Sequence, residues 1–181
     1  MSAGSAYRDG RTSEELDELR DRARNEGLHP GAFIRRPDTT FDEGAIRLSV
    51  PQRSPVVFED LVRGEVRFEA TSIDDFVILR SDGSPTYHLA STVDDIDYGI
   101  SHVARGEDLL PSTPKHILLT RAIGAEEPAY AHLPLLFGPD GKKLSKRHGA
   151  TAVSEYRDAG YLAEAVCNYL ALWGWSFEGG R

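Results

Sequence analysis

The chain has 181 residues, which at about 150 residues per domain allows one large domain or two small ones and excludes a multi-module machine. It carries 29 Asp plus Glu against 21 Lys plus Arg, a formal charge of −8, so a polyanion has to be met by a local basic patch rather than by the chain as a whole. A hydrophobic fraction of 40% and a charged fraction of 28% belong to a folding chain, and a single cysteine, Cys167, excludes an internal disulfide and a Cys-rich zinc cluster.

Met1 to Gly10 is small and polar and reads as a poorly ordered end. Thr12 and Glu15 have capping-box spacing, and the stretch to Asn25 lacks Gly and Pro, which predicts a surface helix with a thin stripe of Leu16, Leu19 and Ala23. Pro30, Gly31 and Pro37 then give loop chemistry around Arg35 and Arg36. From Ala45 the period shifts towards two. Ala45 to Val50, Val56 to Phe58, Val66 with Phe68, and Phe76 to Leu79 read as strands of a small, largely antiparallel sheet.

Ser81 to Ser84 is a turn, followed by a strand-like run from Pro85 that contains His88. A strand over Ile100 to Ala104 precedes a helix with Thr113 as N-cap, Pro114 at its first position and Gly124 just past its end. Strand then helix is the unit of an α/β sheet. Leu133, Leu135 and Leu136 read as a short buried strand, Gly138 to Gly141 as a turn, and Val153 to Ala159 and Leu162 to Leu172 as helices. Trp173 and Trp175 read as packing residues. Neither a membrane span nor a signal peptide is indicated.

Two segments carry candidate chemistry. From Lys142 to Arg147, four of six residues are cationic, between the Gly138 turn and Gly149. Lys supplies a point charge, Arg a planar fork and Ser145 a hydroxyl, a combination suited to closing over a polyphosphate. The same composition also suits an ordinary solvated loop, and the run alone does not decide between them. The second segment is Tyr87 to Ala90, Val93 to Asp95 and His102 to Asp108. Arg105 ends an apolar strand, where open α/β sheets bind ligands, so it can clamp a carboxylate; equally, it can pair with Glu107, Asp108 or Asp94 on the surface. The six histidines show no metal-ligand spacing and read as structural or surface residues. G-x-S-x-G, G-x-G-x-x-G and P-loop patterns are absent, which removes the main support for hydrolase, nicotinamide-dehydrogenase and P-loop readings.

Taken together and in order, Pro85 to Ala90, Val93 to Asp95, Arg105 to Asp108, Ser112 to Pro114, His132 to Leu135, Gly138 to Gly149, Tyr161 to Leu162 and Asn168 to Leu172 closely resemble bacterial glutamyl-tRNA synthetase. The match is dense from about Ala45 onward, and the Thr12 to Arg20 helix looks like that family's connective insertion. The resemblance implies a class I aminoacyl-tRNA synthetase, a cytoplasmic ligase of protein biosynthesis that activates glutamate with ATP and magnesium and transfers it to tRNA. Lys143, Leu144, Ser145, Lys146 and Arg147 would be the second class signature at the ATP phosphates, with Lys146 and Lys143 the catalytic cations and Asp108 near ATP. Tyr87, Ser91 and Arg105 would line the glutamate pocket, with Ser91 standing where relatives often have Asn. No metal ligand is expected, and no zinc, because Asp9, Arg11 and Phe33 stand where zinc-bearing members have cysteines.

The expected fold is α/β: residues 1–84 a partial connective insertion, 85–137 the second half of a Rossmann-like nucleotide-binding fold, and 138–181 the signature loop and the start of a helical stem-contact region. The first signature and the anticodon-binding region are not in the sequence. The expectations are therefore a chain inactive alone unless a missing N-terminal half is supplied, and a half sheet with an open edge prone to self-association. Two other readings are a non-catalytic tRNA-binding or regulatory relative and a glutamyl-queuosine-type tRNA-modifying paralogue; the stretch from Tyr156 to Trp173 speaks against the latter.

Overall fold

The computed structural model describes residues 5–51, 54–137, 140–141, 143 and 152–174. The first strand, β1 (Ala6–Asp9), lies in the segment expected to be a loose end. It is ordered because its backbone pairs antiparallel with β2 (Ala45–Leu48), and β2 pairs with β5 (Val77–Leu79), giving a three-stranded sheet of order β1-β2-β5. Between β1 and β2 runs α1 (Ser13–Asn25), whose capping box forms as the spacing predicts: Glu15 N–H donates to Thr12 Oγ1 at 3.2 Å, and Thr12 N–H donates to the Glu15 carboxylate at 2.7 Å. Only Ala23 of this helix is buried.

A second sheet has the order β4-β3-β7-β6. Its strands are β3 (Val56–Asp60), β4 (Gly64–Phe68), β6 (His102–Gly106) and β7 (Ala129–Leu133). β3 and β4 form an antiparallel hairpin, while β7 runs parallel to both β3 and β6. The strands from Ala45 to Leu79 thus divide between two sheets rather than forming one antiparallel sheet, and the second sheet is continuous across residue 84. The outer edges of β4 and β6 have no strand beside them among the described residues.

The run after Pro85 is not a strand. It forms helix α2 (Tyr87–Asp97), with Thr86 extended at its N-cap and Thr86 Oγ1 donating to the Val77 carbonyl at 3.0 Å. Tyr, His, Thr and Val are weak helix formers, but Leu89, Thr92 and Ile96 recur at helical spacing, and packing on a neighbouring helix overrides the local preference. That neighbour is α3 (Thr113–Ile123), reached from β6 through a 3-10 turn over Glu107–Ser112. Ser112 rather than Thr113 is its N-cap, which puts Pro114 at the second helical position, where its missing N–H costs nothing. Gly124 closes the helix with φ 82°, a left-handed conformation that glycine adopts without strain.

The core joins the two sheets through α3. Leu48, Val50, Val56, Ile73, Phe76, Ile78, Ile117, Leu118, Leu119 and Tyr130 form one buried cluster, and each large aliphatic there contributes about 1.5–3 kcal/mol on burial. Leu133 to Leu136 is not a buried strand: Leu133 is 41% exposed at the end of β7, and Leu135 N–H leaves the sheet to donate to the Glu107 carboxylate at 3.1 Å. Phe137 and Lys143 then form an isolated antiparallel bridge around Gly141, which has φ 70°. Helices α4 (Val153–Asp158) and α5 (Ala163–Gly174) follow, with Tyr169, Leu170 and Leu172 exposed on α5. Among the described residues no helix is long and apolar enough to cross a membrane.

Candidate active site

Three polar side chains converge at the carboxyl ends of the parallel strands. Asp60 is the last residue of β3, and Arg105 and His132 are the penultimate residues of β6 and β7. The β6–β7 register pairs Arg105 directly with His132, which brings the two side chains together on one face. Ligands of open α/β sheets bind outside these strand ends.

The convergence is hydrogen-bonded throughout. Asp60 Oδ2 meets His132 Nδ1 at 2.6 Å, with both side chains fully buried. Asp60 Oδ1 accepts from the backbone N–H groups of Val62 and Arg63, each at 3.0 Å, and of His132 at 3.2 Å. Burial pushes the Asp60 carboxyl upward, but the hydrogen bonds from His132 and these amides outweigh it and hold the group below the usual carboxylate range. On the other side of the imidazole, Arg105 Nε–H donates to His132 Nε2 at 3.1 Å, and Arg105 Nη2 donates to Thr113 Oγ1 at 2.8 Å. Thr113 is the buried first residue of α3, and its hydroxyl lies 3.0 Å from His132 Nε2.

Arg105 is thus held by His132 and Thr113. Of the carboxylates expected to pair with it, Glu107 pairs with Arg63, Asp108 pairs with Lys143 at 2.5 Å, and Asp94 is exposed on α2. Among the described residues no ion pair involves Arg105. The surface-network alternative does not hold there.

The wall beside Arg105 is aromatic, with Asp95 and Lys115 close enough to act electrostatically on it. Tyr87, 53% exposed, lies at the first position of α2 with its ring centroid 5.6 Å from His88 and 5.7 Å from His116. His88 Nδ1 and His116 Nε2 are 3.1 Å apart. Burial lowers the His116 pKa to about 4, and the Arg105 and His88 charges act in the same direction; burial, Lys115 and Arg105 likewise lower His88. Ser91 stands four residues after Tyr87 and so on the same face of α2. Behind this wall a cavity of about 350 Å³ is lined by Thr92, Asp95, His116, Thr120 and Tyr130, among others.

Of the expected ATP-side residues, Asp108 and Lys143 are brought together by their ion pair, which holds the Asp108 carboxyl below its usual range. Gly106 gives Asp108 room: a Cβ at position 106 would come within 2.6 Å of Asp108 Oδ1. Leu144, Ser145, Lys146 and Arg147 lie outside the described residues. Asp9 and Arg11, at the places expected to have lost zinc ligands, are ion-paired with each other at 2.7 Å. Among the described residues no cluster of His, Cys, Asp and Glu can hold a metal ion.

The sequence does not mark Asp60, Thr113 or His132 as site residues. For His132 a signal existed in the His-Leu-Pro-Leu run after an apolar strand. Asp60 has none, because its contact with His132 spans 72 residues and depends on β3 pairing with β7.

Residues 1–181 match the model of the class I tRNA synthetases (E and Q), catalytic domain. Among curated proteins the chain is 50% identical to a glutamate–tRNA ligase of Dehalococcoides mccartyi over 98% of its own length and 37% of that protein's. It is likewise 50% identical to one of Moorella thermoacetica, over 99% and 39% of the respective lengths. Among solved structures, a glutamate tRNA ligase from Elizabethkingia meningosepticum in complex with its amino acid superposes with a TM-score of 0.74 at 32% identity, covering 98% of this chain and 42% of that one. The chain thus spans well under half the length of the relatives it matches. Its match over all 181 residues and the agreement of its fold with solved members establish that the chain belongs to the catalytic-domain family of the class I tRNA synthetases for glutamate and glutamine.

Proposed function

We propose that this chain is part of a glutamate–tRNA ligase, which activates glutamate with ATP to glutamyl-adenylate and passes the glutamyl group to tRNA. The observation that carries the reading is the state of Arg105: it stands at the carboxyl ends of the parallel strands, held by His132 and Thr113, with no carboxylate paired to it among the described residues. A guanidinium so placed offers a fork to a substrate carboxylate, and hydrogen bonds to charged groups are worth about 1.5–3 kcal/mol each. Tyr87 and Ser91 would complete that wall of the glutamate pocket.

On the ATP side, Asp108 and the loop from Lys143 to Arg147 would face the nucleotide, with Lys146 and Lys143 meeting the triphosphate as pyrophosphate leaves. Magnesium would arrive with the ATP as part of the substrate. Cations placed where charge develops stabilise phosphoryl-transfer chemistry without reorganising in the act. The helices from Val153 onward would contact the stem of the tRNA, whose backbone needs such local surfaces on an acidic chain.

The test is ATP–pyrophosphate exchange with the longest protein that the gene encodes, assayed with each amino acid in turn. Exchange that depends on glutamate supports the reading; exchange with a different amino acid, or with none, overturns it.

A further inference from the structure

Resting on the reading of Arg105 as the carboxylate clamp, we infer that Asp60 and His132 are positioning residues. Asp60 fixes the proton of His132 on Nδ1, which leaves Nε2 as the acceptor that aims the Arg105 guanidinium into the site.

The geometry allows one proton arrangement. A carboxylate with four donors around it, three backbone N–H groups on Oδ1 and His132 Nδ1 on Oδ2, is acceptor-only, so the hydrogen of the 2.6 Å contact belongs to Nδ1. Across the ring, Arg105 has only donors. Its Nε–H at 3.1 Å needs a lone pair on Nε2. A proton on Nε2, in either the other tautomer or the imidazolium, would set N–H against N–H and turn the guanidinium away. Thr113 fits the same pattern: its oxygen accepts from Arg105 Nη2, and its own hydrogen is left to share Nε2.

The ring is also locked in place. His132 is flanked by Tyr130, stacked at 6.2 Å between centroids with an interplanar angle of 14°, and neither Asp60 nor His132 reaches solvent. An imidazole that cannot swing cannot make up for the wrong tautomer by moving. Both side chains are closed off from solvent, so their contribution is orientation, the term most sensitive to small displacements.

Asp60→Asn separates this role from simple packing. The amide is nearly isosteric, but its oxygen must stay with the three backbone N–H groups, which turns the amide NH2 towards His132 Nδ1. The imidazole must then accept at Nδ1 and carry its hydrogen on Nε2, against Arg105. Nitrogen-15 NMR of the imidazole and of the Arg105 Nε–H reads this directly in the chain as it stands, without substrate. The wild type is expected to show His132 protonated on Nδ1 only, with a slowly exchanging Arg105 Nε–H; Asp60→Asn is expected to move the proton to Nε2 and abolish that protection. In the longest protein that the gene encodes, Asp60→Asn should raise the KM for glutamate about 10- to 100-fold, equivalent to loss of one charged hydrogen bond, with the KM for ATP within about twofold. A wild-type His132 protonated on Nε2 overturns the inference even if the variant does not fold, as does an Asp60→Asn protein with an unchanged tautomer, Arg105 signal and glutamate KM. Failure of the wild type to use glutamate, with the tautomer as expected, would instead remove the clamp reading while leaving the proton arrangement intact.

Discussion

Asp60 and His132 are separated by 72 residues in sequence and by 2.6 Å in space, both completely buried. A buried carboxylate is costly unless its oxygens are fully used, and here they are used by the imidazole and three backbone amides. The pair ties the end of β3 to β7 and so couples the antiparallel hairpin to the parallel strands that carry Arg105. The candidate site therefore depends on residues from both sides of residue 84.

A second buried carboxylate governs the small sheet. Asp9 receives Arg47 Nε at 2.6 Å and Arg11 Nε at 2.7 Å, and Arg47 also donates to the Asp75 carbonyl at 2.8 Å. Burial acts to raise the Asp9 pKa, but the two guanidinium partners prevail and hold it below the usual carboxylate range. Its stabilising contribution is then fully present above the unfolded value near 4 and is lost as pH falls through the lower folded value. Asp9→Ala, which strands Arg47, is expected to cost on the order of 3 kcal/mol in urea unfolding; a loss below about 1 kcal/mol would show that Arg47 finds another partner.

His116 predicts a second acid limb with a different window. Its folded pKa near 4 lies below the unfolded value of 6.5 because burial and Arg105 disfavour the charge. The unfolded chain takes up the proton first, so stability is complete above pH 6.5 and declines as pH falls towards 4. A shift of that size corresponds to about 3 kcal/mol. Thermal melts of His116→Gln should be flatter than wild type between pH 6.5 and 4, and equal slopes would argue against a neutral buried imidazole.

Gly44 joins the loop to β2 with φ 113°, and a Cβ there would run into the carbonyl of Asp9. Neither the backbone angle nor the space suits any other residue. Gly44→Ala is expected to lower stability by about 2 kcal/mol or more, seen as a drop in Tm. Gly83→Ala, with φ 83° but nothing within 4 Å, should cost distinctly less.

The Lys143–Asp108 pair is exposed, with side chains 56% and 42% accessible, so its worth to folding is small. Asp108→Ala and Lys143→Ala should leave Tm within about 2 °C of wild type while raising the KM for ATP in the exchange assay. A large fall in Tm with normal ATP use would assign the pair to structure instead.

Much of the frame is legible in the amino-acid sequence because local signals state it outright. Thr12 with Glu15, Gly124 after an apolar helix, and Ser81 to Ser84 act within a few residues of themselves, and each forms where expected. What the sequence conceals is non-local. β1 is held by its pairing with β2, 36 residues or more away, and by the Asp9–Arg47 ion pair, and α2 is helical because α3 lies against it, despite a strand-like run of Tyr, His, Thr and Val. Leu133 to Leu136 reads as a strand from its leucines, yet Glu107 takes the Leu135 amide out of the sheet. For the site, the position of Arg105 at a strand end is visible in advance. The reason it stays unpaired is not, since that depends on Arg63 engaging Glu107, Lys143 engaging Asp108, and the Asp60–His132 pair.

The most direct test of the account is the glutamate KM of Arg105→Ala in ATP–pyrophosphate exchange, measured beside wild type in the longest protein that the gene encodes. Loss of a bidentate charged contact predicts a rise of about 100-fold or more, with the KM for ATP little changed and Tm close to wild type. An unchanged KM for glutamate would contradict the assignment of Arg105 as the group that receives the substrate carboxylate.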